Sequence, residues 1–270
     1  MWTIADQYTH AEDYDLENSR YIEDIPFWVD ICRRTVRKGG AVLDMCCGTF
    51  REGLAIAESA SRNGFTLIGV DISIPMLKQA KAKLSTLSLQ AQDCVQLVNG
   101  DMENVRVGVG MYDLVLVPFN SFVHTIGIKR KRSTLSNIYA HLKDTGLFLA
   151  DIFIPDINHL FGMHSYPKTV YEEFSITTGG VMLVRQVTGH YDQVTQVLEC
   201  MYYYQIYDTL GKGNLIRSYC LPFITQLIFP NEWELLLELA GFKVIEWWGS
   251  YNMKPFRQES QNMLFLCEKG

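Results

Sequence analysis

Apolar runs that stop at a polar residue recur through the first half of the chain. Ala41-Val-Leu ends at Asp44, Thr66-Leu-Ile-Gly-Val ends at Asp71, and Val95-Gln-Leu-Val-Asn-Gly ends at Asp101. Tyr112-Asp-Leu-Val-Leu-Val runs into Pro118-Phe-Asn-Ser121. Runs of this length, rich in Val, Leu and Ile, suit strands buried on both faces. The spacing predicts strands near 41–46, 66–71, 95–100, 112–118 and 146–153, and helices near 24–37, 51–62, 74–86 and 130–142. Strand and helix in alternation predict a parallel sheet with right-handed crossovers.

Near residue 168 the rhythm changes to period-2, β-rich segments at 169–177, 181–190, 196–208 and 214–228, broken by turn signals such as Thr-Thr-Gly-Gly and Thr-Leu-Gly-Lys-Gly-Asn. This predicts an antiparallel insertion. Pro230–Gly241 then reads as a helix with a glycine stop, followed by strands at 242–249 and 262–268. Residues 1–23 form a polar, tyrosine-rich lead. The expected organisation is a lead or lid over 1–23, a core over 24–167, an insertion over 168–229, and a return to the core over 230–270.

At 270 residues with 48% hydrophobic content the chain can bury one large core. A net charge of −6 argues against a nucleic-acid partner, because neutralising phosphates needs a basic face. The dense positive run Lys129-Arg-Lys-Arg132 is short and isolated, and reads as the start of a solvated helix. Seven cysteines without a spacing framework read as reduced, buried thiols of a cytoplasmic protein, and adjacent Cys46-Cys47 lack the spacing of a zinc or redox site. No 18-residue apolar stretch or signal peptide is expected.

The turn after the first strand, Asp44-Met-Cys-Cys-Gly-Thr-Phe50, narrows the ligand. A dinucleotide loop needs G-x-G-x-x-G to cradle pyrophosphate, whereas a carboxylate at Asp44 repels phosphate and suits a cation. Each strand-end acid taken singly also suits a helix N-cap or a turn. Together, at one edge of a parallel sheet, they mark the edge where open α/β sheets bind ligands.

The E/D-x-x-x-G pattern ending at Gly48 resembles motif I of the class I S-adenosylmethionine (SAM) dependent methyltransferases. Their commonest form is D-x-G-x-G-T-G, so Cys46 stands for the first glycine and Phe50 for the third, departures expected to narrow the pocket. The resemblance implies a Rossmann-like α/β fold, a seven-stranded sheet with its last strand antiparallel and an inserted antiparallel β-sheet. It implies SAM as cofactor. Asp44, Cys46 and Gly48 would lie by the methionine end, Asp71 with Ile72 by the ribose, and Asp101 with Met102 by the adenine, and Phe119 would also contact the cofactor.

The insertion is dense in aromatic residues: Tyr171, Phe174, Tyr191, Tyr202, Tyr203, Tyr204, Tyr207, Tyr219 and Phe223. They read either as a sheet face packed on the core or a second subunit, or as a wall over the substrate. Insertions of this kind resemble those of glycine N-methyltransferase-like enzymes and amino-sugar N-methyltransferases, which implies a small-molecule acceptor and a homodimer through the insertion. Phe119-Asn-Ser-Phe-Val-His124 is similar to their N-S-x-x-H stretch, and Asp13-Tyr-Asp-Leu16 to their Y-D-L lead. This nominates Tyr14, Asn120 and His124 around the acceptor, with His124 as the base. Alternatively His124 only bonds the first turn of the next helix. No metal is expected. The reading is methyl transfer from SAM to an N or O nucleophile of a small molecule. The alternatives are an enzyme that uses another carbon of SAM, by aminocarboxypropyl transfer or cyclisation, and an idle partner subunit with the SAM fold.

Overall fold

The computed structural model describes residues 4–156, 174–178, 180–210 and 213–270. Tyr171 and the start of the strand expected at 169–177 lie outside them. The chain divides into two compact units, residues 22–154 with 228–270 and residues 1–21 with 155–227.

The larger unit alternates strand and helix. In chain order it contains α2 (Ile25–Thr35), β1 (Ala41–Asp44), α3 (Gly53–Asn63), β2 (Thr66–Asp71), α4 (Ile74–Leu84), α5 (Leu89–Asp93) and β3 (Val95–Asn99). There follow β4 (Tyr112–Val117), a 3-10 turn (Ser121–His124), α6 (Ile128–His141), β5 (Leu142–Phe153), α7 (Pro230–Leu239), β10 (Phe242–Trp248) and β11 (Asn262–Lys269). These strands form one seven-stranded sheet in the order β10-β11-β5-β4-β1-β2-β3. β11 runs antiparallel to both β5 and β10, and the other pairings are parallel.

Residue alternation explains why the sheet is covered on both sides. Val42, Leu67, Leu114, Leu116 and Leu264 face Phe27, Trp28, Ile56 and Ala60 of α2 and α3. Leu43, Val70, Val115, Val117 and Phe265 face Leu135, Ile138, Trp233 and Leu237 of α6 and α7. Strands buried on both faces have little room for polar residues except at their ends, so the polar groups gather at the strand termini. The chain enters at β1 in mid-sheet, builds outward through β2 and β3, then crosses to β4 on the other side of β1. Between β1 and β4 the order reverses, and a crevice opens there at the carboxyl ends.

The second unit holds α1 (Ala11–Glu17) and a four-stranded antiparallel sheet in the order β6-β7-β8-β9, with β6 (Phe174–Thr178), β7 (Val181–Asp192), β8 (Val197–Asp208) and β9 (Leu215–Gln226). The lead is helical where no helix was expected. Asp13 accepts from Tyr219 Oη at 2.7 Å and from Arg217 Nε at 3.2 Å, while Glu17 accepts from Tyr204 Oη at 2.9 Å and pairs with Arg185. Tyr204 and Tyr219 stack at 5.0 Å, and His10 stacks on Tyr219 at 3.7 Å. Those rings hold the lead helix to the sheet inside this unit.

The basic run at 129–132 departs from its expectation as a solvated face. Lys129 and Arg132 are exposed, but Lys131 is buried, its Nζ donating to the Thr125 carbonyl at 2.9 Å, and Arg130 forms ion pairs with Asp101 and Glu103. Burial lowers the Lys131 ammonium to about 8. The seven cysteines are free, and Cys220 is exposed, so the thiols are not uniformly buried. Among the described residues no helix is long and apolar enough to cross a membrane.

Candidate active site

At the carboxyl end of β1 the backbone turns sharply. Gly48 has φ +52° and Phe50 has φ +66°, the left-handed region that favours glycine. Phe50 stands where the third glycine was expected, and it does not narrow a pocket. Its ring is fully buried in the core beside α2 and α3 and lies over Gly53, where an added Cβ would meet ring carbons at 2.3 Å and 2.4 Å.

Asp44 lies at the end of β1, fully buried. Its Oδ1 accepts from the Cys46 N–H at 3.1 Å, whereas its Oδ2 has no hydrogen-bond partner. Burial, and then the nearby Glu52 carboxyl, push the Asp44 carboxyl well above the usual carboxylate range. A buried acceptor oxygen without a donor is costly and fits a ligand that brings a donor or positive charge. An ammonium brings both a donor and a positive charge and a sulfonium brings the charge, so Asp44 fits the methionine end of SAM. Cys46 follows, its Sγ 3.4 Å from Met102 Sδ, with burial raising its thiol above the ordinary range.

Asp71 ties the loop to the next strand. Its Oδ2 accepts from Gly48 N–H at 2.9 Å and its Oδ1 from Ser73 N–H at 2.8 Å, and burial lifts the carboxyl to about 6. Each oxygen keeps a further lone pair for a ligand hydroxyl. Asn99 Nδ2 fixes the adjoining backbone, donating to the carbonyls of Asp71 and Ile72 at 3.0 Å each. At the end of β3, Asp101 Oδ1 accepts from Glu103 N–H at 2.9 Å and its Oδ2 from Arg130 Nη2 at 2.5 Å. Met102 is buried beside Cys46.

The far side of the crevice is the turn after β4. Phe119 and Asn120 have φ +54° and +61°, conformations that cost energy for residues with a Cβ and gather at functional sites. Asn120 Oδ1 is buried without a partner. Its N–H donates to Asp151 Oδ1 at 3.4 Å, and Tyr251 Oη donates to Asp151 Oδ2 at 2.5 Å. Fully buried on β5, Asp151 is lifted by burial to about 7. The Arg51 guanidinium sits 4.5 Å over the Phe119 ring and grips Asp24 with bonds of 2.8 and 2.6 Å. His124 is buried at the end of the 3-10 turn.

The core unit therefore brings together Asp44, Cys46, Gly48, Asp71, Ile72, Asp101, Met102, Phe119, Asn120 and His124, on the strand ends and following turns at the carboxyl edge of one sheet. Tyr14 belongs to the other unit, on α1, where its ring meets the edge of Tyr8 at 6.0 Å. The sequence reading overlooked Asp24, Arg51, Glu52 and Tyr251. The one available signal was Arg51-Glu52 directly after the loop, a charged pair opening a helix with an apolar face. Asp24, Asp44, Glu52 and Asp151 are all buried at this edge, with Arg51 gripping Asp24, so the site is rich in carboxyl groups whose ionised form a bound cation would favour.

Residues 42–146 match the family model described as a methyltransferase domain. The chain carries a methyltransferase domain. The resemblance read from Asp44–Phe50 is thus borne out, as is the sheet with its antiparallel last strand. The chain, and with it the methyltransferase domain, is similar to the cypemycin N-terminal methyltransferase of a Streptomyces species, with 25% identity over 97% of this chain and 96% of that protein. It also matches a demethylmenaquinone methyltransferase of Staphylococcus epidermidis at 34% identity, but over 31% of this chain and about a third (32%) of that protein's length. Among solved structures, the CcbJ methyltransferase of Streptomyces caelestis superposes with a TM-score of 0.76 at 16% identity, covering 98% of each chain. A second is the SAM-bound amino pentose methyltransferase CalS10 of Micromonospora echinaspora, with a TM-score of 0.67 at 17% identity, covering 97% of this chain and 96% of that one. At these identities the superpositions show a shared fold around the methyltransferase domain.

Proposed function

We propose that this chain transfers the methyl group of SAM to a nucleophilic nitrogen of a small molecule by in-line displacement. The observation that carries the reading is the buried Asp44 Oδ2, without a donor, at the strand end that opens a methyltransferase domain. A second support is what the similar proteins are said to do: one is an N-terminal methyltransferase and another an amino pentose methyltransferase.

When bound, SAM supplies an electrophilic methyl group on a sulfonium that already carries its leaving group. The chain's own part is modest: alignment, exclusion of water and removal of a proton. Asp44 provides an anionic partner for the methionine end, and a cation beside it would hold its carboxyl ionised. Asp71 offers lone pairs to the ribose hydroxyls, and Met102 an apolar wall to the adenine. Asn120 Oδ1 can accept a hydrogen bond from the acceptor and orient its lone pair. His124, buried in the next turn, is suited to take the proton that an ammonium acceptor must lose. In the other unit, Tyr203 and Cys220 pair across β8 and β9 and are both exposed, a surface through which the expected homodimer would form.

The test is product analysis with primary and secondary amines of small natural products. S-adenosylhomocysteine and an N-methylated amine are expected. Methylthioadenosine as the nucleoside product would contradict methyl transfer and point to another carbon of SAM.

A further inference from the structure

The loop that carries Asp101 and Met102 is fastened from behind by α6. Asn137 Nδ2 donates to the carbonyls of Met102 and Val105 at 2.9 and 3.1 Å, and Val107 N–H donates to His141 Nε2 at 3.3 Å. Tyr112 Oη adds a bond to the Val107 carbonyl at 2.5 Å. Asn137 and His141 are buried, so these bonds are shielded from water. Arg130 lies seven residues before Asn137, on the same face of α6, which places it at the other end of the loop.

Arg130 is not needed to hold that loop. Its pairs with Asp101 and Glu103 are part-exposed, at 27% for Arg130 and 20% and 28% for its partners, and ion pairs of this kind contribute little to stability. The guanidinium also leaves a donor over. Nη2 goes to Asp101 and Nη1 lies 3.5 Å from Glu103, while Nε is buried with no hydrogen-bond partner. Asp101 keeps acceptor directions on both carboxylate oxygens. An acceptor and an unpartnered donor thus lie within one ion pair, beside Met102.

We propose that Arg130 is a specificity-determining residue for the nucleobase, reading the adenine of the cofactor jointly with Asp101. The inference rests on the assignment of Asp101 and Met102 to the adenine. The edge of adenine presents an amino donor at N6 beside an acceptor at N1, the complement of Asp101 as acceptor and Arg130 Nε as donor. A hypoxanthine edge presents the reverse and would be rejected by both groups.

The test is a two-by-two titration calorimetry cycle. It uses S-adenosylhomocysteine and its 1-deaza analogue, which lacks the N1 acceptor, against the full-length wild type and Arg130→Met, with thermal denaturation reporting the folding of the variant. The wild type should bind the 1-deaza analogue about tenfold more weakly, and the variant should bind both ligands with equal, reduced affinity. Equal binding of the two ligands by the wild type overturns the proposal without recourse to the variant. An undiminished preference in Arg130→Met also overturns it, because the N1 contact would then come from elsewhere. If the wild type binds neither ligand, the cofactor reading itself fails and the proposal falls with it.

Discussion

The strand-end carboxyls differ in what surrounds them. Asp71 is held by two backbone N–H groups, which favour its charge, and by burial, which opposes it, and the balance lifts it to about 6. Above that value it is ionised and offers lone pairs to two hydroxyls; below it, one oxygen becomes a donor and part of that offer is lost. Affinity for S-adenosylhomocysteine should therefore fall as pH drops, by roughly tenfold at one unit below the titration point. Titrations between pH 5 and 8 check this, and Asp71→Asn should lose that share of the dependence, with Asp44 supplying the remainder. A flat profile in the wild type would remove Asp71 from the site. Asp44 and Asp71 were legible in the sequence because acids end several apolar runs in series, where a single one would equally suit a helix N-cap or a turn. The contact of Asp151 with Tyr251 was not legible: they are a hundred residues apart, one on β5 and the other in the turn after β10, and only the folded sheet order β10-β11-β5 brings them near. Lys131 misled for a related reason, since a charge run signals solvent unless a neighbouring turn offers a carbonyl, as Thr125 does.

At the scale of elements, the loop from β1 into α3 shows how the chain manages without two of the expected glycines. Phe50 accepts a left-handed backbone and sends its ring into the core, which works only because Gly53 leaves room for it. Gly53→Ala, an otherwise favourable change in a helix, should thus destabilise the protein by about 1–3 kcal/mol, since the ring it meets is fully buried and has nowhere to move. A shift of the urea midpoint measures it, and an unchanged midpoint would show that the ring moves freely. The elements of the parallel sheet were readable because period and length agreed. The short α1 was not: its helix carries acids where a core helix carries apolar side chains, and its hold on the sheet is ionic and aromatic, through Asp13 and Glu17. β5 begins at Leu142, ahead of the expected 146, because the chain passes through Thr145-Gly146 as strand with an irregular register against β4.

In the whole molecule, one sheet gathers every polar group of the candidate cofactor site at a single edge, on loops that α6 and the core fix from below. The sequence alternation was enough to foresee a parallel sheet, and the family resemblance its antiparallel last strand, whereas the reversal between β1 and β4 is seen only in the strand pairing. The alternation could not show that the lead and the insertion form a unit of their own, since that depends on pairs such as Asp13 with Tyr219 that are distant in the chain. The central claim is that this edge is a SAM site set by Asp44. Calorimetric titration of the full chain with SAM, S-adenosylhomocysteine and NAD, repeated with Asp44→Asn, tests it most directly. The account predicts binding of the first two, no binding of NAD, and a loss of about 2 kcal/mol, roughly thirtyfold, for SAM in the variant. Binding of NAD, or equal affinity of both proteins for SAM, would contradict it.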